Sequence, residues 1–148
     1  MAKFYFYALA AFLLFAAPAY AQLTSVVPIA GPSGGATPSH FLSAANTNAT
    51  NIKASQGTIY QIVAINTTVT MYYLKFYDLA VAPTCNTTPV VGTFPVPFGA
   101  SNSGGGFTIP LPTGMRFTKG IGFCLTSGIA DNDNGNAATG VAIDILWK

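Results

Sequence analysis

Apolar positions along this chain recur with a period of two, in short runs separated by turn residues. "HFLSAA" (40–45) and "NIKAS" (51–55) come first. "TIYQIVAIN" (58–66) is apolar on both alternating sets, which predicts a central strand covered on both faces. "MYYLKFYDLA" (71–80) follows a turn at Asn66–Thr70. "VVGTFPVPF" (90–98) sets Phe94, Val96 and Phe98 against Pro95 and Pro97, and "GFTIPLP" (106–112) repeats the device with Phe107, Ile109 and Leu111. Proline cannot donate to a ladder, so both segments belong at sheet edges. "IGFCLTS" (121–127) puts Ile121, Phe123 and Leu125 on one face, and "VAIDILWK" (141–148) does the same with Val141, Ile143, Ile145 and Trp147. No 3.6-residue pattern or capping box appears. Eight such runs predict an all-β fold, an antiparallel β-sandwich of jelly-roll-like kind in a single domain.

The first residues follow another rule. "MAKFYFYALAAFLLFAAPAYAQ" has one early cation, Lys3, then an apolar run, a proline and a small-x-small site ending at Ala21. That is the pattern of a cleaved signal peptide over 1–21. Residues 22–38 are rich in Pro, Gly, Ser and Thr and read as a flexible lead-in, leaving 39–148 as the sandwich. The mature chain is then exported (periplasm, cell surface or extracellular) and, with no second long apolar run, not held in a membrane.

Charge is scarce: six Lys and Arg, four Asp and no Glu in 148 residues. No basic stripe appears, so nucleic acid is not an expected partner. Such a surface repels neighbours weakly. The two cysteines, Cys85 and Cys124, suit a disulfide in an exported chain. Two free thiols are the alternative, and the single histidine, His40, is not spaced with them as a zinc site requires.

Three groups of residues are candidates for function. In "SGIADNDNG", Asp131, Asp133 and Gly135 form D-x-D-x-G. The residue types suit calcium but the EF-hand register does not, and a solvated turn uses the same residues. Calcium is the one cofactor this pattern raises. Catalysis lacks its usual parts: no second histidine, no carboxylate pair outside the turn, no nucleophile or phosphate-loop motif. The chain therefore reads as a non-enzyme. The third group is Tyr73, Lys75 and Tyr77, on the side of their strand opposite Tyr72, Leu74 and Phe76. Two tyrosines around a lysine suit contact with a protein or a glycan, or burial beneath further structure. Asn48, Asn66 and Asn86 each begin an N-x-T triplet and read as turn residues.

The order "GTIYQIVAIN", "YLKFYD", "FPVPFG", "SGIADNDNG" resembles small β-sandwich virion structural or accessory proteins of tailed bacteriophages and prophages, of head-decoration or fibre-associated type. The resemblance spans roughly residues 51–148. It implies a structural part that packs against copies of itself or another structural protein, virion-associated, with no catalytic residues. The leader departs from that pattern, because virion parts assemble in the cytoplasm. The other functional expectation is an exported glycan- or cell-wall-binding module using the same tyrosines.

Overall fold

The computed structural model describes residues 35–100 and 103–148. The expected signal peptide, 1–21, and lead-in residues 22–34 lie outside the described residues. Eight strands follow: β1 (Thr37–Leu42), β2 (Thr50–Lys53), β3 (Gly57–Asn66), β4 (Tyr72–Asp78), β5 (Gly92–Val96), β6 (Gly105–Phe117), β7 (Ile121–Thr126) and β8 (Val141–Trp147). They form two antiparallel four-stranded sheets, β1-β8-β3-β6 (sheet A) and β2-β7-β4-β5 (sheet B). The pairs β1·β8, β2·β7, β3·β6 and β4·β5 are nested in the sequence, as though one long hairpin had been rolled over on itself.

Alternation decides which side chains meet between the sheets. Sheet A contributes Ile59, Ile62, Ala64, Val141, Ile143 and Ile145, and sheet B contributes Tyr72, Leu74, Phe76, Val96, Ile121, Phe123 and Leu125. Phe76 sits among aromatic rings, edge-on to Phe94 at 5.8 Å and tilted to Phe117 and Phe123 at 6.1 and 6.4 Å. Such pairs add to simple area burial.

Several boundaries and one burial pattern differ from the sequence reading. β1 begins at Thr37, so Thr37 and Pro38 belong to the sandwich and not to the lead-in. β3 is central in sheet A, yet it is covered on one face only: Val63 is half-buried and Ile65 is 48% exposed. Apolar residues on both sides of a strand do not require two covering layers. β6 runs on to Phe117, well past Pro112, through a wide bulge in which Ile59 pairs with Met115 but Gln61 pairs with Pro110. Gly114 makes the bulge possible, with φ of +74° and Thr58 Cγ2 2.2 Å from where a Cβ would stand. A glycine in a bulge and one in a turn look alike in sequence.

The proline-bearing strands do lie at edges: β5 closes one side of sheet B and β6 one side of sheet A. β1, the other edge of sheet A, carries Pro38. β2, the remaining edge, is four residues long and irregular in register. Every edge is thus short or interrupted, which blocks strand addition.

Candidate functional site

The outer face of sheet B holds the residues singled out in the sequence. The register sets Tyr73 beside Thr126 and Pro95, Lys75 beside Cys124 and Thr93, and Tyr77 beside Gly122. Two connections fold over this face. The segment 79–91 is tied to it by the Cys85–Cys124 disulfide, with Cα atoms 6.0 Å apart. The segment 127–137 is held by Lys75 itself.

Lys75 and Tyr77 are fully buried, at 0% exposure, and Tyr73 alone of the three is half-buried. The expectation that Lys75 and Tyr77 present a contact surface is therefore corrected, because the two connections cover them. The Tyr77 hydroxyl donates to the Cys85 carbonyl at 3.1 Å, and its ring packs with Leu79, Val90 and the disulfide in a second small core. Burial, and then the nearby charge of Asp131, push its phenol up to about 12. The Lys75 ammonium donates to the Ala130 carbonyl at 2.5 Å and the Asp133 carbonyl at 3.5 Å. Burial pushes its pKa down, and the carboxylates of Asp133 and Asp131 pull the other way. Lys75 is thus a buried peg for the 127–137 connection, and no substrate reaches its ammonium in this state.

Asp131 and Asp133 are separated by role. One Asp133 carboxylate oxygen accepts the amides of Gly128 (2.8 Å) and Gly135 (3.3 Å), and its own amide donates to Ala130. Asp131 is exposed. Among the described residues no group of three or more His, Cys, Asp or Glu is placed to hold a metal ion. The D-x-D-x-G stretch acts here as a turn closed on itself and set over Lys75.

The N-x-T asparagines also hold turns. Asn66 is buried, donating to Thr70 and Val96 carbonyls and accepting from the Thr68 amide and hydroxyl. Asn48 adopts φ of +53° and bonds Ala44 and Asn46. Asn86 is exposed.

One signal in the sequence foretold the covering of sheet B. Ile121, Phe123 and Leu125 must face the core, so Cys124 must face outward. A disulfide from Cys124 then has to lay the Cys85 segment over the outer face, on top of Lys75 and Tyr77.

The outer face of sheet A has no such cover among the described residues. Leu42, Ala142, Ile65 and Gly106 form one row across its four strands. His40, Asp144, Val63 and Thr108 form the next, and Pro38, Leu146, Gln61 and Pro110 the third. Leu42 is 73% exposed. The charged or titratable side chains in these rows are His40 and Asp144, which pair at 2.6 Å. In comparisons with known proteins, the chain matches no protein-family model and no curated protein.

Proposed function

We propose that this protein is a non-enzymatic structural part, of the phage virion accessory kind its sequence resembles, that packs through the outer face of sheet A against another copy of itself. The observation that carries this reading is the contrast between the two outer faces: one roofed by its own connections, the other presenting an apolar row of Leu42, Ala142, Ile65 and Gly106. A β-sheet face this poor in charge loses little hydration when covered. Its two titratable side chains, His40 and Asp144, are already hydrogen-bonded to each other within one copy at 2.6 Å, so covering the face leaves neither without a partner. The blunted edges favour stacking of faces over extension of sheets. The nested strand order fits the jelly-roll-like form of sandwich, and the disulfide fits an exported protein in an oxidising compartment.

The experiment is light scattering of purified protein over a concentration series. The expected result is growth into a defined oligomer that Leu42→Lys with Ile65→Lys returns to monomer. Both side chains are already exposed, so the pair of changes should leave the fold intact. A strict monomer at every concentration would overturn the proposal. Assembly and glycan binding were both expected at Tyr73, Lys75 and Tyr77; with Lys75 and Tyr77 enclosed, assembly is instead assigned to the outer face of sheet A, and no geometric feature favours the glycan reading over it.

A further inference from the structure

The described cations are five, and four of them gather at one end of the sandwich. Lys53 ends β2, Arg116 lies at the end of β6, Lys119 is in the β6–β7 turn and Lys148 follows β8. The fifth, Lys75, is buried in sheet B. The acid at the same end, Asp78, spends its carboxylate on the β6–β7 turn: it accepts the Thr118 hydroxyl and the amides of Thr118, Lys119 and Gly120. Setting the one acid, Asp78, against the four cations leaves this end with a surplus of three positive side-chain charges. In a chain with a formal net charge of +2, that is a strong segregation.

The same end holds a depression of about 270 Å³. Lys53, Arg116 and Lys148 line it together with the polar side chains of Gln56 and Thr58, and no acidic side chain does. Its volume is just under the roughly 300–1,000 Å³ of sites that enclose a whole small molecule. It suits one charged group carried on something larger. Gly57 matters to its shape, because a Cβ there would stand 3.0 Å from the Lys53 Cδ and 2.9 Å from the Lys148 carbonyl oxygen. The Lys53 ammonium rests 5.2 Å from the centre of the Trp147 ring.

We propose that this end is an oxyanion site for a phosphate group, with Arg116 and Lys53 as its charged donors and Gln56 and Thr58 as neutral ones. The planar fork of arginine matches two oxygens of a tetrahedral anion, and lysine adds a mobile point charge. Thr58 and Arg116 pair at the end of sheet A just past its third row, and two rows separate them from Leu42, Ala142, Ile65 and Gly106, so binding there and packing through that apolar row are separable.

Trp147 is the single tryptophan of the chain, which makes the test direct. Inorganic phosphate is titrated into the protein with sodium chloride at matched ionic strength as the reference, and Trp147 fluorescence is followed. A saturable change with phosphate and none with chloride is expected, as anion binding draws Lys53 from the indole. Arg116→Gln, followed by Trp147 fluorescence, and Lys53→Gln, followed by titration calorimetry because it removes the cation that reports on the indole, should each bind phosphate about tenfold more weakly, whereas Lys119→Gln, outside the depression, should weaken binding only through the field. Should Arg116→Gln fail to fold, Arg116→Lys keeps the charge and loses the fork, and it too must weaken binding. Polyphosphate and vesicles containing phosphatidic acid, used in parallel, tell a free group from a polymer-borne or headgroup one; saturation by any of the three supports the site. Identical responses to phosphate and chloride, an undiminished phosphate affinity in the Lys53 and Arg116 variants, or retention on duplex DNA without any response to the three phosphate probes would overturn it.

Discussion

Lys75 is a cation that the fold has withdrawn from water. Two backbone carbonyls and the field of two aspartates offset part of its desolvation, but no carboxylate bonds it directly. Buried charges so placed seldom stabilise relative to an apolar side chain of the same shape. Lys75→Met is therefore expected to match or exceed the parent, by up to about 2 kcal/mol in urea denaturation. Lys75→Ala leaves a hole under the 127–137 connection and is expected to lose about 2 kcal/mol or more. The pH dependence has a definite sign. The folded-state pKa of Lys75 lies below its ordinary 10.5, so the unfolded chain holds the proton more tightly. The penalty is present in full below the folded-state value and is relieved as pH rises from there toward 10.5. The gap between Lys75→Met and the parent should accordingly narrow with rising pH in that window, and a gap that widened would contradict the burial of a charged ammonium. Tyr77 runs the opposite way. Its phenol is raised to about 12, so it contributes stability that is lost as pH climbs from 10 toward 12. Tyr77→Phe removes that alkaline loss along with one hydrogen bond, and is expected to lower stability at neutral pH by about 1 kcal/mol.

Connections, more than strands, set the character of this sandwich. The β6–β7 turn is organised from another strand, by the carboxylate of Asp78 at the end of β4. Burial raises the Asp78 pKa, but the Thr118 hydroxyl and the amides of Lys119, Thr118 and Gly120 outweigh it and hold the carboxyl well below the usual range. A carboxyl depressed in the fold contributes above its unfolded value, near 3.8, and the contribution fades as pH falls from there toward the folded value. Asp78→Asn should cost about 1 kcal/mol at neutral pH, with the difference shrinking in acid below that point; thermal melts across pH read both. The 79–91 connection depends instead on Cys85–Cys124, which closes 39 residues of sequence. Loop-closure entropy puts its contribution at roughly 4 kcal/mol, and reduction should also loosen the small core around Tyr77, visible as faster amide exchange over 79–91. All eight strands were legible in the two-residue alternation, and both proline-bearing edges in the missing amide donors of Pro95, Pro97, Pro110 and Pro112. What covers a face was harder to read. Alternation marks two sides of β4 without saying which connections return over one of them, so contact and burial both stayed open for Tyr73, Lys75 and Tyr77. Gly114 looked like a turn because the pairing that makes it a bulge lies far away in sequence, on β3.

Among the described residues the sandwich is closed at its edges, roofed on sheet B and open on sheet A, and its exposed positive charge is collected at one end. That arrangement separates two kinds of association. Contact through the Leu42–Ala142–Ile65–Gly106 row is apolar and should respond weakly to salt, whereas binding at the Lys53–Arg116 end should weaken as salt rises. A third kind, strand addition, is the one the edges prevent. Pro95 in β5 pairs with Tyr73, and Pro110 in β6 pairs with Gln61, each on the outermost strand of its sheet. Both prolines are exposed, so replacing them removes little packing. Pro95→Thr with Pro110→Thr would restore an amide donor on each of two edges and favour extended backbone around it. The variant is expected to keep its fold and to gain open-ended growth. Thioflavin fluorescence should rise with time, and the scattering mass should keep increasing with concentration where the parent reaches a plateau. Equal behaviour of variant and parent would mean that the edges are guarded by their shortness and twist, and that the prolines serve the turns beside them.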